Sequence, residues 1–181
     1  MPVWQQQGVP VRRPPPPLDT PALEALALRY VERFATTEGK LAAYLARKVR
    51  ERGWDGPAAD PRGIAARMTR LGYVDDRAFA EARGRALTRR GYGAGRVSQA
   101  LRAAQVGEAD AAPVVEQSRE DAFDAALAFA RRRRFGPFAL QPADERARAR
   151  QIGAMLRAGH GFALARRIIH AGPGEILEPD A

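Results

Sequence analysis

The chain has 181 residues, 45% of them hydrophobic and 28% charged, with no cysteine and a net charge of +9. These values exclude disulfide scaffolds, thiolate catalysis and Cys-based metal sites, and no apolar run approaches the ~20 residues of a membrane span. Lysine occurs only at Lys40 and Lys48, so the positive charge is almost all arginine, and an anionic partner fits it better than base-composition bias on a solvated surface.

Met1 to Asp19 holds Pro10 and the run Pro14 to Pro17 with little apolar content, which predicts a disordered, Pro-rich spacer. Its first residues lack the charged head and apolar middle of a secretory signal, so a cytoplasmic protein is expected. Thr20 and Pro21 give an N-cap and first-turn signal, and Leu23, Leu26, Ala27, Tyr30, Val31 and Phe34 form a helical stripe. Thr37 caps a second helix with Leu41, Tyr44, Leu45 and Val49 inward, stopped at Gly53. A third starts at Asp60-Pro61 and carries Ile64, Met68 and Leu71.

Gly72 closes that helix, and Asp75 and Asp76 are carboxylates placed to cap the next one. Phe79, Ala82, Ala86 and Leu87 recur at helical spacing until Gly91-Tyr92-Gly93 turns the chain. Val97, Ala100, Leu101 and Ala104 mark the following helix, and Val114 and Val115 the core of a short one over 109–117. Ser118 and Asp121 have the spacing of a capping box before Phe123, Ala126, Leu127 and Ala130. That helix ends near Phe135-Gly136-Pro137; a loop to Pro142 leads to a helix with Ile152, Met155 and Leu156, broken by Gly159 and Gly161. The last helix carries Leu164, Ile168 and Ile169 and stops at Gly172-Pro173, before an acidic tail. No segment alternates as a strand does, so the class is all-α.

One anchor recurs three times: Val49 before Gly53-Trp54, Leu101 before Gln105-Val106, and Met155 before Gly159-His160, roughly fifty residues apart. Such a period suggests stacked helical units, each too small for a core of its own, in an elongated array. The expected division is a tail over 1–19, three-helix units over 20–72, 73–117 and 118–172, and a tail over 173–181.

The two-helix unit entered by Gly72-Tyr73-Val74-Asp75-Asp76, with Phe79 after it, turned by Gly91-Tyr92-Gly93 and continued to Leu101, closely resembles the central region of the RecX family of bacterial recombination regulators. Three positions depart from the family pattern: Arg83 and Gly84 stand where bulky apolar residues are usual, and Ala94 replaces a proline that often follows the turn. The resemblance implies tandem three-helix repeats and a monomeric, non-enzymatic regulator that binds the RecA recombinase filament on single-stranded DNA. It further implies inhibition of strand exchange, ATPase and coprotease activity, with neither cofactor nor metal. A non-specific single- or double-stranded DNA-binding protein and a helical protein-interaction scaffold are the alternatives.

His160 and His170 lie ten residues apart, outside the spacing of a helical metal site, and His160 occupies a packing position in the anchor. Capping accounts for Asp75 and Asp76 without acid-base work, and the glycines of 91–95 lack the strand and the Lys-Ser/Thr ending of a phosphate loop. The candidate contacts are therefore arginines, which give forked, charge-assisted bonds to phosphate or carboxylate. Arg83, Arg85, Arg89, Arg90 and Arg96 bracket the central turn, Arg131, Arg132, Arg133 and Arg134 form an unbroken run, and Arg157, Arg166 and Arg167 lie in the last two helices. Helical phase places Arg132 opposite the buried stripe, Arg131 and Arg133 on the flanks, and Arg134 on the core side.

Overall fold

A computed structural model of the chain describes residues 15–179, so the expected spacer lies outside the described residues over 1–14. Nine α-helices are found among the described residues: α1 Thr20–Val31, α2 Glu38–Arg52, α3 Pro61–Arg70, α4 Asp76–Arg89, α5 Ala94–Ala103, α6 Glu108–Glu120, α7 Ala122–Arg133, α8 Glu145–Arg157 and α9 Phe162–His170. The fold is all-α; the one β-type feature among these residues is an isolated bridge between Leu18 and Trp54. No described helix is long and apolar enough to cross a membrane.

Local chemistry sets most helix starts. Asp19, Asp60, Asp75 and Asp144 accept the amides of Ala22, Gly63, Ala78 and Ala147 at 2.9, 2.8, 2.8 and 2.6 Å, and Thr37 accepts that of Lys40 at 3.2 Å. Each such cap is worth ~1 kcal/mol. The expected capping box at Ser118 and Asp121 does not form. Ser118 stays inside α6, where its hydroxyl donates to the Val114 carbonyl at 2.9 Å, and α7 begins after a break at Asp121 with no side-chain cap.

Three apolar cores divide the helices. Leu23, Leu41, Leu45, Ile64 and Met68 unite α1 to α3; Ala80, Leu87, Val97, Leu101 and Ala111 unite α4 to α6; Ala126, Phe129, Met155, Ile168 and Ile169 unite α7 to α9. Four expected core positions are corrected: Phe34 falls beyond the end of α1, and it, Leu71, Ala82 and Leu156 are exposed. On α4 the buried face is Ala80, Gly84 and Leu87. A Cβ on Gly84 would stand 2.3 Å from Cγ1 of Val114, so the missing side chain lets α6 approach and leaves Phe79 facing a groove.

The ends of the described chain are tied down. Leu18 is fully buried in the first core; its N–H donates to Gly53 at 3.0 Å and its carbonyl accepts from Asp55 at 2.8 Å, so a residue of the expected 1–19 tail is part of the core. At the other end Gly174 donates to the Pro137 carbonyl at 2.9 Å, Arg167 donates to the Glu178 carbonyl, and Leu177 packs on the third core.

Two joints connect the cores, and both use the repeated anchor, whose residues Gly53, Gln105 and Gly159 share positive φ values of 84°, 56° and 93°. At the first joint the buried Thr37 hydroxyl donates to the Ala104 carbonyl, and the Glu38 amide donates to Asp76 at 2.8 Å. At the second, Gly93 and Gly95 donate to Ala158 and Gly159 at 3.0 and 3.1 Å.

Candidate functional site

The second joint builds the floor of the site. Gly91 has φ +72°, and a Cβ there would lie 2.7 Å from the Phe129 amide nitrogen, so only glycine permits the turn to sit this close to α7. His160 lies beneath it, its Nε2 3.0 Å from the Gly91 carbonyl, which makes Nε2–H the donor. Burial pushes the imidazole below its ordinary value, and the Gly91 bond opposes that shift without cancelling it. His160 Nδ1 is buried without a hydrogen-bond partner. The neutral, packed ring agrees with a structural role.

Above this floor α4 and α5 enclose a groove of about 550 Å³. Phe79, Leu87 and Tyr92 supply its apolar and aromatic surface, Lys40, Arg83, Arg90 and Arg96 its charge, and no carboxylate lines it. None of the four cations has an ion-pair partner among the described residues; Arg96 donates to Gln99 at 2.6 Å. Arg90 and Arg132 stand over the Tyr92 ring at 5.5 and 6.0 Å. The rings hold guanidinium groups in place through their quadrupoles while leaving the N–H forks available. Cations without acidic partners beside aromatic rings have the chemistry that anionic groups require.

The four-arginine run differs from its expected phase. Phe129, absent from the expected stripe, is the centre of the α7 face; Arg132, expected opposite the stripe, and Arg133, expected on its flank, lie over its ring at 5.7 Å each. Arg131 covers Phe138 at 5.0 Å. Arg134 does not return to the core: it is the exposed C-cap, left-handed with φ +54°, because the Phe135 amide bonds back to Ala130 and ends the helix one residue early.

The fold brings Arg83, Arg90, Arg96 and Arg132 to one face and leaves the other candidates elsewhere. Arg85 belongs to a second groove between α4 and α6, where it pairs with Glu81 at 3.4 Å. Arg89 is exposed on the last turn of α4, and Arg157, Arg166 and Arg167 lie on α8 and α9, the first two exposed and Arg167 placed 5.5 Å over the Phe123 ring. Lys40 is the groove residue that sequence reasoning missed; it comes from a helix of the first core, with no signal in the local pattern. Of the motif residues, Tyr73 is 55% exposed, Asp75 caps α4, and Asp76 is directed to α2 instead of to its own helix. Burial raises the Asp76 carboxyl above its ordinary value, against the lowering effect of the Glu38 amide. No group of three or more His, Asp or Glu that could hold a metal is found among the described residues.

No protein-family model matches the chain. Regulatory protein RecX of Myxococcus xanthus (strain DK1622) is 34% identical over 160 residues, which cover 83% of this chain and 86% of that protein. Regulatory protein RecX of Agrobacterium fabrum (strain C58) is 27% identical over 147 residues, 79% of each. Two crystal structures share the fold: RecX from Lactobacillus salivarius, with a TM-score of 0.57 at 16% identity over 81% of this chain and 92% of that one, and a regulatory protein RecX with a TM-score of 0.56 at 24% identity over 82% and 74%.

Proposed function

The chain belongs to the RecX family of regulatory proteins, and from that premise we propose that it is a non-enzymatic regulator that binds the RecA recombinase filament on single-stranded DNA and restrains strand exchange, ATP hydrolysis and coprotease activity. The observation that carries this reading is the acid-free groove, in which Lys40, Arg83, Arg90 and Arg96 line one concavity and Arg132 stands over its tyrosine. Guanidinium groups in that arrangement suit an acidic protein surface or phosphate, and the protein needs no group of its own to perform chemistry. Inhibition would come from occupying the filament and altering its growth or dissociation.

In the same reading the protein is a monomer of three tandem three-helix units, 20–72, 73–117 and 118–172, which together span several recombinase subunits. The two joints, each made of a few hydrogen bonds at an anchor, support this division. The test is addition of the purified protein to preformed RecA filaments on single-stranded DNA, following ATP hydrolysis, strand exchange and repressor cleavage. Inhibition at or below equimolar protein is expected; unchanged rates at saturating protein would overturn the reading.

A further inference from the structure

A second surface lies on the first core, beside the Lys40 wall of the groove. Three rings follow one another: Tyr30 is stacked on Tyr44 at 4.2 Å between centroids and 28° between planes, and Phe34 is tilted against Tyr30 at 5.2 Å and 48°. The chain has only seven phenylalanines and four tyrosines, so three in one ladder is a concentration. Tyr30 and Tyr44 border the first core and partly serve it. Phe34 does not: it lies beyond the end of α1 and is 53% exposed, yet one more helix-like turn lets its amide donate to the Tyr30 carbonyl at 3.0 Å, and its ring meets the tyrosine. An exposed ring held against a stacked pair presents a face that a planar ligand can cover.

The charges around the ladder identify the ligand. Arg47 and Lys48 flank Tyr44, 5.6 and 5.9 Å from its centroid. Both also reach Glu51, at 3.8 and 2.7 Å, so they are partly neutralised. Lys40 is not in an ion pair, and it stands one turn before Tyr44 on α2. At 100° per residue Lys40, Tyr44 and Arg47 fall within about 60° of each other, and Lys40 and Tyr44 are separated by roughly 6 Å along the axis. Lys40 is also a wall of the arginine groove. The cationic groove and the ring ladder are therefore continuous through one face of α2. Stacked aromatic faces beside a cationic track are what unpaired bases on a phosphate backbone require, whereas duplex DNA hides its base faces.

We propose that the Phe34–Tyr30–Tyr44 ladder is a stacking platform for the bases of single-stranded nucleic acid, whose phosphates continue past Lys40 into the Arg83/Arg90/Arg96 groove. The proposal concerns direct contact with the strand and does not rest on the recombinase reading, since its test contains no recombinase.

The test is fluorescence anisotropy with a labelled oligo(dT) of about twenty nucleotides and an abasic oligomer of equal length, for the full chain and the variants Phe34→Ala and Tyr44→Leu. The leucine keeps an apolar side chain against the first core. The unmodified protein is expected to bind oligo(dT) about ten-fold more tightly than the abasic strand, the order of effect of one stacked base. Both variants should lose that preference while keeping the abasic affinity, and Phe34→Ala, at an exposed ring, should melt at nearly the wild-type temperature. Duplex DNA should bind all three proteins alike. Equal affinity of the unmodified protein for oligo(dT) and the abasic strand would overturn the proposal, as would a Phe34→Ala variant that retains the preference. Were Tyr44→Leu to lose its fold, Phe34→Ala alone would decide the matter.

Discussion

Asp76 opens α4, yet its carboxylate accepts the backbone N–H of Glu38 at 2.8 Å, tying the start of one helix to the start of another. The amide is one of the four at the start of α2 that no helical carbonyl can reach. Asp76→Ala strands it at a partly buried joint and should lower stability by ~1–3 kcal/mol. Asp75→Ala should cost ~1 kcal/mol, because it removes only the cap of α4. Amide exchange separates the two: Glu38 should exchange faster in the Asp76 variant and unchanged in the Asp75 variant. Burial raises the Asp76 carboxyl, so the native state holds its proton more tightly than the unfolded chain, and that contribution to stability fades as pH rises through the raised value. Asp76→Asn retains an acceptor without a buried charge and should be much milder than alanine.

His160 gives a pH dependence of opposite sense. Its folded-state value is lowered by burial, so the unfolded chain takes up the proton first as the medium is acidified. Stability should be full above the ordinary histidine value of ~6.5 and fall as pH drops from there toward the lowered native value. Melting temperatures between about pH 8 and pH 5.5 measure this, with the ordinary histidine value inside the range. His160→Gln keeps a donor for the Gly91 carbonyl and removes the titration, so its melting temperature should vary less over the same range. An equally steep slope in that variant would assign the effect to another group.

Local signals carried much of this architecture, and long-range contacts decided the rest. Caps at Thr37, Asp60 and Asp75 and the breaks at Gly53, Gly72 and Gly91 are written in neighbouring residues, and they fall at helix ends. Phase failed where a partner helix set it. Ala80 and Gly84, small and weak in any hydrophobic pattern, face the core because Val114 fills the space over Gly84, and the larger Phe79 is displaced to the groove. Arg134 failed for a different reason: extrapolating a helical phase past Arg133 ignores the left-handed cap. The site was half legible. Arginines near the turn could be read from the chain, but Lys40 and Arg132 reach it from other cores, and only the joints bring them there.

A glycine at the first joint and one away from it should respond to alanine with opposite signs. Replacing a solvent-facing helix glycine by alanine stabilises by ~0.5–1 kcal/mol. Gly153→Ala in α8 should do so, since its Cβ would meet only the mobile end of Arg157 at 3.3 Å. Gly39→Ala in α2 should instead destabilise, because its Cβ would stand 2.6 Å from Cβ and 2.9 Å from the carbonyl oxygen of Gln105. Gln105 is already held at φ +56° and has little freedom to yield. Thermal melts of the two variants decide it: a stabilising Gly39→Ala would show that the first joint opens readily.

The groove and the neighbouring face of α4 separate partner binding from folding. Arg90 and Arg96 line the acid-free groove, whereas Arg85, on the helix that Arg90 caps, faces the groove shared with α6 and pairs with Glu81. All three are exposed. The double variant Arg90→Glu/Arg96→Glu should therefore change stability little, each exposed substitution contributing within ~0.5 kcal/mol, apart from the loss of the Arg90 contact with Tyr92, worth ~0.5–1 kcal/mol. Under the proposed function, inhibition of strand exchange should fall by at least about ten-fold in this variant, since two attractive charges become repulsive at a concave surface where all the charges share one sign. Arg85→Glu should lose only an intrahelical pair of ~0.3–0.5 kcal/mol and inhibit normally. Inhibition titrations of the three proteins, repeated at raised salt, read the difference, and the double variant should also show the weaker salt dependence. Equal loss in Arg85→Glu would mean that net charge, and not the groove, governs recognition.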